Sequence, residues 1–469
     1  MERLQELLKC VCGLKQPATW SHANERVGQE HALARRLAST PGVKVYGTNT
    51  LTGHRECEGL GSDRKTDIDK EIIRSHAILN REPYGDFECR CISYSRLYLL
   101  SAGHSGIDEC VYRELQSICV DPKFLPSVPG DSSYSCGDVI PAAHWTKHAI
   151  DALAIAGVPT PPGTVMALMN GAFVQIGLAA ASTRDLSLAF ALLVETATIQ
   201  SGLSGRASEY FRPSARKDTW AFRVIEHARQ RARLGESDPA GQSPVSIRSI
   251  PQQLETLCSA IEDYLGEIDR LLGEPSGNPL FCTETGKALS QASFLCPTLS
   301  VRTGALTESL LFCAWAVVQR TKAVLGGKFG IPIDGGTGDT PLGLIQVPKL
   351  MMAKLESARA RHGTRIFSSG GQTSYGMEDL WTKGLQQVEA LRDLCSTVSE
   401  LCLLEAHVLS YIGTTFDARI IDSALMANIG ERSSIDHSVC LLQDKILPDL
   451  LADSLELFPV MACRAGAFA

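Results

Sequence analysis

The sequence predicts a mainly α-helical protein organised around a bundle of long helices, and three observations carry that prediction. From Pro251 to Leu272, the residues Leu254, Cys258, Ile261, Leu265, Ile268 and Leu271–Leu272 recur at three- and four-residue spacing. Leu385, Val388, Leu391, Leu394, Val398 and Leu401 mark one face of a longer stretch, Met377–Ile412. Val301–Leu325 and Leu342–Arg361 read as two further long helices. Apolar residues make up 44% of the 469, enough to bury a large core. Long apolar helices of this kind suit a central bundle, and stripes left uncovered suit an oligomer.

Composition narrows the function classes. A net charge of −7 argues against a nucleic-acid or anionic-membrane partner. No uninterrupted run approaches 18 apolar residues, so no membrane span is expected. The amino terminus, MERLQELLKC, has no apolar core of secretory-signal length. The sixteen cysteines are scattered; the close pairs Cys10/Cys12 and Cys89/Cys91 form no CxxC and adjoin no His cluster with zinc spacing. Reduced thiols in a cytoplasmic protein, with no metal site, are the expectation.

Taken in order, Met1–Leu8 and Ala23–Ser39 read as helices leading to Val43–Val45. Tyr46-Gly47-Thr48-Asn49-Thr50 is a glycine-containing turn too polar for a core strand. A tyrosine on such a loop can move, and its phenolate can abstract a proton near an electropositive centre. Glu71–Leu79 reads as a helix carrying Ser75-His76, and Arg96–Ile107 as a helix and turn.

The stretch Val128–Ala143, VPGDSSYSCGDVIPAA, is the pivot of the chain. Pro126, Pro129 and Gly130 prevent regular structure before it, and a helix can begin after Asp138. That helix end would place positive partial charge near Cys136. Thr164–Ala181 reads as an apolar helix with Asn170-Gly171 inside it, where an amide must be paired. Asp185–Ser201 is a further apolar helix, and residues 204–241 turn basic, a surface excursion with a solvated face. Gln242 to Gln252 follows, then Gly277–Phe281 and Ser290-Gln291-Ala292-Ser293-Phe294. Gly335–Asp339 lacks the strand and Lys-Ser/Thr of a phosphate loop and reads as a plain loop. The tail after Gly413 reads as helical.

These motifs, collinear from Tyr46 to Gly384, resemble the aromatic amino-acid ammonia-lyases and aminomutases, the family that includes histidine and phenylalanine ammonia-lyases. Tyr46–Thr50 is similar to that family's YGxNTGFG loop, with Leu51-Thr52-Gly53-His54 where the pattern has Gly-Phe-Gly. Arg96, Gly103, Ser105 and Gly106 fit RxNxLxxGxSG, and Gln242, Ser246, Arg248, Pro251 and Gln252 fit QDxYSxRxxPQ, with Val245 in the tyrosine position. Ser135-Cys136-Gly137 occupies the place of the Ala-Ser-Gly tripeptide that cyclises into the family's methylidene-imidazolone (MIO) cofactor.

The resemblance implies an ammonia-lyase-like fold, with a mixed amino-terminal domain over 1–200 and a central long-helix bundle with carboxy-terminal helices over 201–469. It implies a carbon–nitrogen lyase or aminomutase acting on an aromatic or histidine-like α-amino acid, and a homotetramer. Ser135, Cys136 and Gly137 would supply the electrophile and Tyr46 the base. Asn170 and Arg248 would dock the amino-acid head, guanidinium suiting a carboxylate. His76, Gln242, Phe294 and Glu356 would form the substrate pocket. Ring closure needs attack of the Gly137 nitrogen on the Ser135 carbonyl, and glycine permits that close approach. With cysteine in the serine position, hydrogen sulfide leaves instead of water. Three fates stay open for Cys136: the ring, a thiol acidified into a nucleophile by the helix end, and an inert buried thiol. The corresponding functions are the lyase or mutase, another biosynthetic elimination, addition or cyclisation, and a silent oligomeric binding protein.

Overall fold

The computed structural model describes residues 1–15, 23–60, 68–78, 81–134, 136–204, 206–211, 219–232, 242–326, 342–361, 376, 378–416 and 458. In chain order the helices are α1 (Glu2–Val11), α2 (Asn24–Ser39), α3 (Ile68–His76), α4 (Asp86–Ser101), α5 (Glu109–Val120), α6 (Val139–Ile155), α7 (Thr164–Met169) and α8 (Phe173–Leu203). Next come α9 (Ala207–Tyr210), α10 (Trp220–Arg231), α11 (Val245–Arg248) and α12 (Ile250–Leu271). A two-stranded antiparallel hairpin, β1 (Leu280–Cys282) and β2 (Lys287–Leu289), precedes α13 (Pro297–Leu325), α14 (Leu342–Arg361) and α15 (Gly384–Phe416). The fold is mainly α, as the periodicity predicts. Gly335–Asp339 and the tail beyond Phe416, apart from Phe458, lie outside the described residues.

Two compact units are present, each assembled from three chain segments. The first comprises Met1–Ser182, Leu265–Thr303 and Arg365–Glu389; the second comprises Thr183–Tyr264, Gly304–Thr364 and Ala390–Ala469. This partition follows contacts rather than chain position, and so differs in kind from a division at 200/201.

In the first unit α1 packs on α4 through Leu4, Leu7 and Leu8, all fully buried. Asp108 caps α5 by accepting from Cys110 N and Val111 N. Trp145 of α6 fills the centre, edge-on to Phe173 at 5.2 Å, with its Nε1 donating to Ser93 Oγ at 2.9 Å. The turn after α4 takes its shape from Gly103 (φ +96°), His104 (φ +64°) and Gly106 (φ +67°). A side chain at Gly106 would collide with the Phe281 ring, so this glycine lets β1 approach α4's end.

In the second unit, Arg320 on α13 is 1% exposed and forms a bidentate pair with Glu405 at 2.7 Å. Thr196 Oγ1 accepts from Arg320 at 2.9 Å and Gln200 donates to Glu405 at 3.1 Å, so both charges are hydrogen-bonded. Breaking such a pair strands a buried charge. Arg320→Met should therefore lower the unfolding free energy by roughly 3–5 kcal/mol, read from urea denaturation.

Three expectations change. Asn170-Gly171 does not lie inside a helix: α7 ends at Met169, Asn170 caps it with extended backbone, and α8 begins at Phe173. Gly171 there presses on Arg96 and Ser276, leaving no room for a continuous helix with a side chain at that position. The helical stretch Met377–Ile412 starts instead at Gly384, where a Cβ would strike Gln175. Within 204–241, Trp220, Val224 and Ala228 of α10 are buried, so that segment is an amphipathic core helix and not wholly a solvated face.

Two stretches, Thr164–Leu203 and Pro297–Leu325, are long and apolar enough by length and composition to cross a bilayer. Counting uninterrupted apolar residues overlooks them because Ser, Thr and Gln punctuate both. The most apolar window of the first is 94% buried within the protein, as a core helix would be.

Candidate active site

The segment before Cys136 is held by four neighbours, Glu82, Tyr84, Gln386 and Glu389. Tyr84 N donates to Val128 O at 2.9 Å and Gly130 N to Glu82 O at 3.0 Å. Glu389 accepts from Asp131 N at 2.8 Å and also from the Tyr84 hydroxyl. Gln386 Nε2 donates to Ser133 O at 3.3 Å, and Ser133 Oγ donates to Asp138 Oδ1 at 2.5 Å. Gly137 (φ +84°) and Asp138 (φ +47°) turn the chain into α6, whose amino terminus at Val139 follows Cys136 as the sequence implies. Ser135 lies outside the described residues.

This turn opens on a cavity of about 600 Å³ within the first unit. Tyr46, His76, Cys136, Gly137, Asn170 and Phe294 all line it, drawn from five separated stretches of chain. The Phe294 ring covers Gly137, its Cδ2 lying 3.4 Å from where a Cβ would sit.

Each wall has a local cause. Asn49 knits the Tyr46 loop by accepting from Val45 N (2.7 Å) and donating to Val43 O (2.8 Å) and Ala38 O (3.1 Å). Gly47 (φ +62°) sits where a Cβ would overlap Met166, so only glycine lets Tyr46 approach α7. The Tyr46 hydroxyl oxygen accepts from Gly53 N at 3.0 Å. Asn170 Nδ2 donates to Asn278 O at 2.7 Å, leaving its carbonyl to the cavity side. His76 Nδ1 is 2.8 Å from Ile72 O, which can only accept; the proton therefore sits on Nδ1 and Nε2 is the acceptor in the neutral ring. Gln291 ties the floor together: its N donates to Asn278 Oδ1 (3.2 Å), its Nε2 to Ser293 Oγ (2.8 Å), and its Oε1 accepts from Ser293 N (2.7 Å).

The electrostatics run against one expectation. Burial, reinforced by the Glu378 and Asp138 carboxylates, pushes the Cys136 thiol up to about 12. The helix end does not yield an acidified nucleophile, because burial first, and then the surrounding acids, outweigh it. Burial likewise raises the Tyr46 phenol; the Gly53 N–H opposes this, and Glu378 and Glu56 add to it. Asp138 is buried, and burial lifts its carboxyl to about 7. Its folded value thus lies above the ~3.9 of an unfolded aspartate. Between those two values the folded state binds the extra proton, so stability falls as pH rises, by up to about 1.4 kcal/mol per unit. Asp138→Asn should flatten that slope in urea titrations run at successive pH values.

The family model for aromatic amino acid lyases matches residues 3–412. The chain belongs to that family. Among curated members, histidine ammonia-lyase of Paracidovorax citrulli is 25% identical, over 96% of this chain and 93% of its own. Histidine ammonia-lyase of Deinococcus radiodurans is also 25% identical, over 86% and 82%. Among solved structures, phenylalanine aminomutase of Pantoea agglomerans superposes with a TM-score of 0.82 at 17% identity, covering 95% of this chain and 97% of its own. Histidine ammonia-lyase of Trypanosoma cruzi gives 0.76 at 17% identity, covering 97% and 95%. These likenesses extend the aromatic amino acid lyase fold over nearly the whole chain.

Within this lyase scaffold, three predicted residues do not line the cavity. Arg248 and Gln242 lie in the second unit, where Arg248 Nη1 donates to Gln242 Oε1 at 2.7 Å. Glu356 stands exposed on α14, paired with Arg359 at 3.1 Å. Two acidic residues do line the cavity, Glu56 and Glu378, the latter from the irregular stretch before α15. No motif or periodicity in the sequence marks Glu378. His54 and Glu56 were also missed; they enter on the turn Gly53–Arg55, where the family pattern breaks.

The residues present fit the family's cyclised tripeptide. Gly137 has a left-handed backbone that suits a residue without a side chain, and Cys136 and Gly137 both face the cavity. Cys136 and Gly137, with Ser135, would form the group, and Phe294 and Asp138 would flank it.

Proposed function

We propose that the chain is an ammonia-lyase or aminomutase acting on an aromatic or histidine-like α-amino acid, with its electrophile built from Ser135, Cys136 and Gly137. The observation that supports this is the convergence of Tyr46, His76, Cys136, Gly137, Asn170 and Phe294 on one cavity. The cyclised group supplies an electrophilic methylidene carbon. Tyr46 takes the proton from the substrate carbon; its raised affinity for that proton makes the proton-bound state easy to reach and the starting phenolate scarce. Glu378, beside both Tyr46 and Cys136, attracts the substrate ammonium and can accept its proton. Asn170 orients the head group through the amide oxygen left unused by Asn278.

No lysine or arginine lines the cavity among the described residues. A substrate carboxylate therefore needs a cation from elsewhere, and the resemblance assigns this to Arg248 in a homotetramer whose sites combine subunits. Arg248→Ala should lower kcat/KM by at least a hundredfold while leaving the ring-closure mass deficit, relative to the variant's sequence mass, unchanged. The cytoplasm is the proposed compartment.

The reading is tested on the purified chain by intact mass and by ultraviolet product formation from histidine, phenylalanine and tyrosine. Loss of one water plus one hydrogen sulfide, with an olefinic product or shifted amine from one of the three, is expected. An unchanged mass with no turnover of any would refute it.

A further inference from the structure

Behind the wall that carries Asn170, a second and much smaller cavity of about 20 Å³ is lined by Arg96, Ser105, Thr48, Asn170 and Asn278 among others. Its size is close to one water-sized sphere. Arg96 is 1% exposed, and its Nε and Nη1 have no hydrogen-bond partner. Only Nη2 is engaged, donating to Ala167 O and, at 3.4 Å, to Asn170 O. The guanidinium also stacks over the Phe173 ring at 5.0 Å. Burial alone acts on this group, pulling it down to about 9, with no carboxylate near enough to oppose the shift. Arg320, the other fully buried arginine among the described residues, has Glu405 against it.

Carbonyl dipoles at the end of α7 and the Phe173 face offset part of the cost of burying this charge. They leave the Nε and Nη1 protons aimed at nothing. Ser105 Oγ accepts from Ile107 N at 3.3 Å, so its own O–H is left to turn toward the cavity. The Thr48 hydroxyl lines the same space. A pocket of unsatisfied donors around one uncompensated cation, with room for a single small sphere, selects a monatomic anion over larger oxyanions.

We infer that Arg96, with Ser105 and Thr48, forms a binding site for one small monovalent anion of the halide class, placed directly behind the wall of the candidate active site. Because Asn170 and Asn278 border both cavities, the anion would also steady the backbone that presents the Asn170 amide.

The probe is bromide, titrated against gluconate at constant ionic strength with the full-length chain. The expected result is a saturable rise in unfolding temperature of roughly 2 °C with bromide and none with gluconate. Ser105→Val, which fills the cavity and keeps Arg96, should abolish the rise, as should Arg96→Met if it folds. Crystals grown in bromide should show an anomalous peak within hydrogen-bonding reach of Arg96 Nε or Nη1. Equal effects of the two salts, an undiminished bromide response in Ser105→Val, or a cavity holding water without anomalous signal would each overturn the assignment. None of these readings depends on turnover, so they stand apart from the fate of the lyase proposal.

Discussion

Tyr46→Phe should reduce kcat by about two to four orders of magnitude, the range a positioned general base contributes, while the mass lost to ring closure, measured against the variant's own sequence mass, stays that of the parent. The phenol oxygen is the only atom removed, and it holds one hydrogen bond, from Gly53 N at 3.0 Å. The loop is fixed mainly by Asn49, whose three backbone contacts do not involve Tyr46's hydroxyl. The variant should therefore fold with its lid in place and lose chemistry rather than structure. The pH profile separates base from bystander. Burial keeps the phenol protonated above its usual range, so the parent's rate should climb with pH across the neutral and mildly alkaline region, and the variant's residual rate should not. A flat parent profile, or a variant within a few fold of it, would remove Tyr46 from the chemistry.

The second large effect concerns Cys136. In the proposed ring closure the Gly137 nitrogen would join the Ser135 carbonyl carbon, whose oxygen would depart as water; the Cys136 sulfur would then depart as hydrogen sulfide, leaving the exocyclic double bond. Cys136→Ser should change the mass deficit to two waters and keep activity, because only the leaving atom differs. Cys136→Ala has nothing to expel, and its mass should show no loss of a side-chain leaving group; turnover should fall by at least three orders of magnitude. A thiol acting as nucleophile gives the opposite ordering, with serine as inactive as alanine. The thiol's position near 12 already weighs against that ordering, since almost none would be ionised at neutral pH.

Much of this architecture was legible in the sequence because it rests on local causes. The apolar spacing of Leu254 to Leu272 and of Leu385 to Leu401 defined helices that the structure contains. Glycine and proline around Cys136 marked a loop ending in a helix, and α6 begins at Val139. What the sequence concealed depends on charges and collisions between distant segments. The helix break at Asn170-Gly171 comes from Arg96 and Ser276 pressing on Gly171, which no local propensity records. Glu356 looked suitable on its helix, yet its side chain faces solvent and Arg359, whereas Glu378 reaches the cavity from a stretch with no periodicity to read. The raised Cys136 thiol depends first on burial and then on that same glutamate, neither of which local sequence records.

The three-segment composition of each unit has a bearing on how the protein is made. Glu389 grips Asp131 across 258 residues of chain, and Arg365–Glu389 completes a unit begun at Met1. A nascent chain therefore leaves the ribosome with Asp131 lacking its Glu389 partner and Ser133 its Gln386 partner until most of the polypeptide has been synthesised. Apolar helices such as Phe173–Leu203 wait uncovered through that interval, a burden on chaperones that a fold of sequential domains would avoid.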